Sequence, residues 1–174
     1  LPLDLAINYG VSGPMLRASG LRLDLRRVDG YSVYPELAFD IPIGQGKMGT
    51  LGDCWDRTWL RMQECKESLK IIEQCLARLS SDLKRTSDFD PQKMVPKKIR
   101  TSAQDCYVRA ENPRGELGFF FRATERSDQP VRCKARSSSL ANLSVVPALA
   151  KGYLLADLVA IVGSVDLVMG EIDR

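Results

Sequence analysis

Asp157, Asp166, Glu171 and Asp173 are carboxylates set into an otherwise apolar stretch, and the last twelve residues read GSVDLVMGEIDR. A carboxyl group taken out of water has a raised pKa unless it is paired, so it can hold or pass a proton near neutral pH. Asp157 and Asp173 are expected to cap helices or pair with arginine. Asp166 and Glu171 are the candidates for chemistry, with capping a helix or pairing with arginine the equal alternative for Asp166. The sequence contains no His, which removes the commonest general base and metal ligand. Five cysteines, Cys54, Cys65, Cys75, Cys106 and Cys133, are widely spaced without a C-x-x-C pair. That spacing argues against zinc, an iron–sulfur cluster or a disulfide framework, and predicts buried thiols in a reducing compartment. Gly10-Val-Ser-Gly13 and Gly44-Gln-Gly46 match neither a phosphate-binding loop nor a dinucleotide fingerprint, so the chain is not expected to bind a dinucleotide.

The elements that must position these residues follow from periodicity. The 174 residues suit one domain or a piece of a larger one, with 44% hydrophobic and 27% charged residues. A net charge of +3 is too mild to indicate nucleic acid. Residues 1–50 read as irregular. Leu3 to Tyr9 is expected to be the end of a helix that starts upstream, which suggests a fragment or one half of a split subunit. Gly10, Gly13-Pro14 and Gly20 punctuate a loop, and Ala38 to Ile43 is expected as a short strand.

The clearest element is a helix over 53–79, with Asp53 as N-cap and Asp56 in the first turn. Trp55, Trp59, Met62, Cys65, Leu69, Ile72, Leu76 and Leu79 form an apolar stripe, while Arg61, Glu64, Glu67, Lys70 and Glu73 fall mostly on other faces. This predicts a core-facing helix of a bundle, with a coiled-coil seam as the alternative. Lys84, Arg85, Lys93, Lys97, Lys98 and Arg100, with Pro91 and Pro96, form a basic connection, read as a solvated loop. Residues 104–136 read as a small antiparallel sheet, with strands at 106–110 and 117–122 around Asn112-Pro113-Arg114-Gly115 and a third near 131–136.

Terminal helices and a tail occupy 140–174. The helix over 140–150 should be short or kinked at Pro147, and that over 154–162 deeply buried and stopped by Gly163. Residues 153–169 are broken by Asp157 and Asp166 and are too short and charged to span a membrane, so a soluble chain is expected.

The ending resembles a known one. In the large subunit of nickel–iron hydrogenases the chain closes on Asp-Pro-Cys-x-x-Cys. Here Asp166, Leu167, Val168 and Glu171 stand at the Asp, Pro and two Cys positions. Val cannot ligate a metal, and one carboxylate without thiolate neighbours is a poor nickel site.

An ending with that spacing but no thiols resembles the D subunit of respiratory complex I, the quinone-reducing NADH dehydrogenase. So do Tyr9-Gly-Val-Ser-Gly-Pro-Met-Leu-Arg-Ala-Ser-Gly20, Asp24-Leu-Arg-Arg27, Tyr31-Ser-Val-Tyr34, Gly52-Asp-Cys-Trp-Asp-Arg57, Ile71-Ile-Glu-Gln74, Pro113-Arg-Gly-Glu-Leu-Gly118 and Ala156-Asp-Leu-Val-Ala160. The resemblance covers the carboxyl-terminal part of that protein.

The resemblance implies an α+β, mainly α, hydrogenase large-subunit-like fold with a long helix in a bundle. It implies a role within a quinone-reducing translocase, with no activity alone and no cofactor bound by this chain. Quinone is the implied substrate, and the electron donor is an iron–sulfur cluster in a neighbouring subunit. Implied partners are the iron–sulfur (B) and C subunits of the peripheral arm, membrane-arm subunits and a possible separate amino-terminal half, with no nucleic acid. The implied location is peripheral, on the bacterial cytoplasmic or mitochondrial matrix face of the inner membrane. Asp166, Leu167, Val168 and Met169 resemble quinone-cavity residues; Arg17, Arg114, Glu116 and Glu171 resemble structural or cluster-proximal ones. The readings that compete with it are a remnant of a hydrogenase-like metal enzyme and a basic interaction module.

Overall fold

The computed structural model describes residues 1–83 and 102–173. The basic connection expected between the long helix and the sheet falls outside them. The elements run α1 (Leu3–Asn8), α2 (Pro14–Ala18), α3 (Leu25–Val28), a 3₁₀ turn (Tyr34–Glu36), α4 (Cys54–Leu83), β1 (Asp105–Asn112), β2 (Gly115–Arg122), β3 (Arg132–Arg136), α5 (Ser138–Ser144), α6 (Val146–Ala150), α7 (Leu155–Val165) and α8 (Met169–Ile172). The architecture is α+β, and β1-β2-β3 form one antiparallel sheet in sequence order.

The core joins the two ends of the chain. Ala6, Val11, Met15 and Leu16 from the first elements pack with Val145, Val146 and Val165 from the last, and Leu143, Leu149, Leu158 and Leu167 lean on this cluster. Two short helices were hidden in stretches expected to be irregular. Pro14 sits at the first turn of α2, where its missing N–H costs nothing, and Asp24 caps α3 by accepting from the Arg26 N–H at 3.0 Å. Gly13 has φ +66°, and a Cβ there would lie 2.4 Å from the Gly115 Cα. The α2 entry and the β1–β2 turn therefore touch backbone to backbone. Buried Asn142 of α5 locks this crossing, accepting from the Ser12 N–H at 3.2 Å and donating to the Arg114 carbonyl at 3.0 Å.

Helix α1 spans Leu3–Asn8, after an extended Pro2. The strand expected over 38–43 is absent because α4 side chains take its backbone groups. Gln74 accepts from the Ala38 N–H at 2.8 Å and donates to the Ala38 carbonyl at 2.7 Å, while Glu67 accepts from the Asp40 N–H at 2.8 Å. The helix predicted over 140–150 is two helices that meet at Val145, with Pro147 in the first turn of the second. Helix α7 runs through Gly163 and ends at Asp166. It is not deeply buried: Leu155 and Val159 are largely exposed. The thiols of Cys65, Cys106 and Cys133 are exposed rather than buried, and all five cysteines are free.

Helix α4 reverses the expected orientation. Asp53 does cap it, accepting from the Asp56 N–H at 2.8 Å. The face turned toward the rest of the chain carries Leu60 and half-buried Ile71 but is mostly polar. Asp56 accepts from the Gly46 and Gly52 N–H groups, Glu64 pairs with Arg17, and Arg78 pairs with Glu36. The stripe from Trp55 through Leu79 points away from the other elements and is exposed along most of its length.

Candidate functional site

The carboxyl end of α7 is where the candidate residues converge. Helix α7 ends because Asp166 takes the left-handed conformation, φ +59° and ψ +64°, which Asp tolerates better than most side chains. Arg61, on the inner face of α4, donates to the Ser164 carbonyl at 2.7 Å and the Val165 carbonyl at 2.9 Å. A guanidinium here satisfies the free carbonyls of the last turn and meets the negative end of the helix dipole.

Its Nε faces the Asp166 Oδ2 at 3.9 Å, too long for a hydrogen bond, and has no other partner among the described residues. On the other side Arg114, from the β1–β2 turn, approaches the Asp166 Oδ1 at 3.3 Å. Asp166 thus sits between two cations, 42% exposed. Burial presses the Arg61 guanidinium below the usual arginine range while Asp166 pulls the other way; it remains cationic at any physiological pH.

Asp166 and Arg61 open onto a cavity of about 340 Å³ whose other walls include Arg17, Glu64, Glu111 and Asn112. Arg17, 2% exposed, is the hub of that wall. Its Nε donates to Glu64 at 2.7 Å, and its Nη1 donates to Glu111 at 2.7 Å and to the Leu23 carbonyl at 2.9 Å, with Asp24 3.6 Å away. Burial pushes the Glu64 carboxyl above the ordinary range, against the pull of Arg17. Asp24 is held below the ordinary range: burial opposes this, and its hydrogen bonds to Arg26 and the Arg17 charge prevail.

The other predicted residues separate by role. Leu167 is partly buried against the core. Val168 is half-buried, extended, and donates its N–H to the Ser139 Oγ at 3.3 Å. Met169 is exposed. Of these four, Asp166 alone lines the cavity. Glu171 is clamped at the start of α5, where one oxygen accepts from the hydroxyls of Ser137 (3.2 Å), Ser138 (3.2 Å) and Ser139 (2.8 Å), and the other accepts from Asn112 at 3.1 Å.

Burial would raise the Glu171 pKa, but these donors outweigh it and lower it. The side chain is therefore satisfied inside the chain. Glu116 accepts from the Tyr107 hydroxyl at 2.8 Å and lies 3.7 Å from Arg109 and 3.8 Å from Arg136, within the sheet. Asp157 accepts from the Leu154 N–H at 3.1 Å, the helix cap expected of it, and the Asp173 side chain is exposed.

Sequence reasoning missed Arg61, Glu64 and Glu111. The first two were legible as polar residues recurring with Arg57 on one face of the long helix, at the i, i+4 and i+7 positions that mark a packed face. Glu111 carried no such signal. Its position opposite Glu116 in the sheet register puts two carboxylates together, and Arg17 and the Leu25 N–H offset the charge on Glu111.

The family described as respiratory-chain NADH dehydrogenase, 49 Kd subunit, matches the chain over residues 1–174. A protein of Amoebophilus asiaticus, named as the D subunit of NADH-quinone oxidoreductase, is 76% identical over all 174 residues, which make up 43% of that protein. A protein of Cytophaga hutchinsonii with the same name, numbered 1, is 67% identical over the whole chain and 44% of its own length. The D subunit of Chlorobium luteolum is 56% identical over the whole chain and 43% of its own length. The chain spans less than half the length of these curated relatives.

Proposed function

Because the chain belongs to the family of the 49 kDa subunit of respiratory-chain NADH dehydrogenase, we propose that it works as the carboxyl-terminal portion of a subunit that helps form the quinone-reduction site of such a complex. The cavity bordered by Asp166, Arg61 and Arg17 carries this reading. It is a concave site at the end of α7, with convergent cations and an unsatisfied buried donor at its edge. The fold in this reading is that of the hydrogenase large subunit. Its partners are the iron–sulfur (B) and C subunits and the membrane arm, on the face of the membrane where NADH is oxidised. None of its helices is long and apolar enough, among the described residues, to cross a membrane, which suits a peripheral location.

Reduction of a quinone to a quinol takes two electrons and two protons. The electrons would come from an iron–sulfur cluster that the neighbouring subunit would hold, and the protons from water reaching the half-exposed Asp166 at the cavity edge. The residues of this chain supply the surroundings. Negative charge developing on a ring oxygen is stabilised by the guanidinium group of Arg61, which the Ser164 and Val165 carbonyls hold at the cavity edge. Asp166, paired with Arg114 and facing Arg61, limits the net positive charge, so the product is not trapped as an anion. Val168, half-buried and two residues beyond Asp166, anchors the strip that holds Asp166 at the cavity edge through its N–H to Ser139.

The test uses the assembled complex. Asp166→Asn and Val168→Trp are expected to lower NADH:quinone reductase activity at least about tenfold, roughly 1.4 kcal/mol in the barrier. Assembly on native gels and electron transfer from NADH to a water-soluble acceptor should stay unchanged. Wild-type quinone kinetics in both variants would remove this strip from the site.

A further inference from the structure

The cavity wall built around Arg17 is short of positive charge. Two guanidiniums, those of Arg17 and Arg26, face three carboxylates, those of Asp24, Glu64 and Glu111. Two of the three acids are saturated with donors. Asp24 accepts from the Arg26 N–H, Nε and Nη2. Glu111 accepts from Arg17 through one oxygen and from the Leu25 N–H through the other. Glu64 accepts from Arg17 through Oε1, and its Oε2 has no hydrogen-bond partner among the described residues. That oxygen is not sealed in. The Glu64 side chain is 17% exposed and opens onto the same cavity as Asp166 and Arg61.

Close carboxylates raise one another's proton affinity, so this cluster takes up a proton more readily than a lone carboxyl does. Glu64 Oε2 is the oxygen left to carry it. Burial acts on the Glu64 carboxyl in the same sense, and Glu111 adds to it, against Arg17 and Arg26. The remaining charges nearby, Arg61, Arg114 and Asp166, are grouped with one another at the end of α7.

We propose that Glu64 is a catalytic residue of this cavity, a proton-transfer group that delivers one of the two protons of quinone reduction from Oε2 to a ring oxygen. This rests on the quinone reading above. The Oε2–H bond breaks as an O–H bond forms on the ring, which takes its two electrons from the neighbouring subunit. The carboxylate left behind keeps Arg17 as countercharge, and water in the cavity returns its proton. The second proton enters from water at the Asp166 edge, so the quinol gains two electrons and two protons and Glu64 ends as it began.

The experiment uses the assembled complex with Glu64→Gln or Glu64→Asp, assembly being read on native gels. A general acid is worth about 10²–10⁴-fold, of which water in the cavity recovers a part, so Glu64→Gln should lower kcat for quinone at least about tenfold and leave KM within about twofold. Electron transfer from NADH to a water-soluble acceptor should not change. In the parent complex kcat should fall as pH rises through the Glu64 value. That limb should vanish in Glu64→Gln and be displaced in Glu64→Asp, which decides the matter alone if the first variant does not assemble. Infrared titration gives a readout apart from activity: a carboxyl C=O band that grows as pH falls should be missing from Glu64→Gln. Parent kcat in Glu64→Gln, a limb that stays in place, or an unaltered band would overturn the proposal. If Asp166→Asn slows quinone reduction and Glu64→Gln does not, Glu64 is removed and the quinone reading stands; parent kinetics in both would remove the two together.

Discussion

Replacing Arg17 by Met removes a cation that three structural elements share. Its guanidinium, 2% exposed, holds Glu64 of α4 and Glu111 of β1 at 2.7 Å each, and it belongs to α2. The substitution keeps most of the volume but leaves two largely buried carboxylates without their main countercharge. Breaking a buried pair from one side costs about 3–5 kcal/mol. Glu111 keeps the Leu25 N–H at 3.1 Å. Glu64, already pushed up by burial, relieves part of the loss by taking a proton. The expected cost near neutral pH is therefore about 3 kcal/mol, at the low end of that range.

The sign of the pH effect follows. A carboxyl whose folded pKa lies above its unfolded one binds protons more readily when folded, so the deficit shrinks as pH falls toward the Glu64 value. The assay is denaturant unfolding of the intact protein for Arg17→Met, Glu64→Gln and the double variant. The pair should show a coupling of about 2 kcal/mol. Additive single effects, or a cost below about 1 kcal/mol for Arg17→Met, would refute the claim that this ion network ties the layers together.

Glu171 titrates in the opposite sense. Its folded pKa is lowered by the donors at Ser137, Ser138 and Ser139, so its contribution is present above the unfolded carboxylate value of about 4 and is lost as pH falls through the folded one. Glu171→Gln should flatten the acid limb of thermal unfolding, and an unchanged limb would count against the clamp. Gly13→Ala meets both a positive φ and the Gly115 backbone, and is expected to cost about 3 kcal/mol; a loss under about 1 kcal/mol by urea unfolding would show that the crossing can give. Gln74→Leu should raise hydrogen exchange at the Ala38 amide by about tenfold, the loss of roughly one hydrogen bond, and unaltered exchange would mean that this segment is held by something else.

The parts of the fold legible in the sequence are those whose signal is local. The sheet announced itself by alternation around Asn112-Pro113-Arg114-Gly115, and the helix by a cap at Asp53 and a regular stripe. Helix α2 was hidden because Gly and Pro mark loops and first turns alike, and only the Gly13–Gly115 contact shows which; α3, four residues long, is too short for a periodic signal. Ala38 to Ile43 has strand-like composition, but a strand is defined by its hydrogen-bonding partner. Its partners are α4 side chains 36 and 27 residues away in sequence. In the candidate site, Asp166 was readable from its place in the ending. Arg61 lies 103 residues from the Ser164 carbonyl that it caps, a distance across which a single sequence offers no pairing information.

The long helix explains why one reading of periodicity failed while the period itself held. A stripe at heptad spacing records that something apolar meets that face; it does not record that the something lies within the same 174 residues. The polar face was the informative one for the fold described here. Arg57, Arg61, Glu64, Glu67, Gln74 and Arg78 each satisfy a backbone group or a charge on another element. An all-apolar interface slides at modest cost, whereas these directional contacts fix α4 in register against α2, the 38–46 segment and the end of α7. That register puts Arg61 at the Asp166 carboxylate and Glu64 at Arg17. A shift of one helical turn, about 5.4 Å, would separate both pairs and dismantle the cavity. The apolar seam then contributes binding to whatever covers it, and the polar seam sets the geometry of the site, so substitutions on the two faces should part company. Those at Leu69 and Leu76 should weaken assembly, and those at Arg61 and Glu64 should change the site in a complex that still assembles.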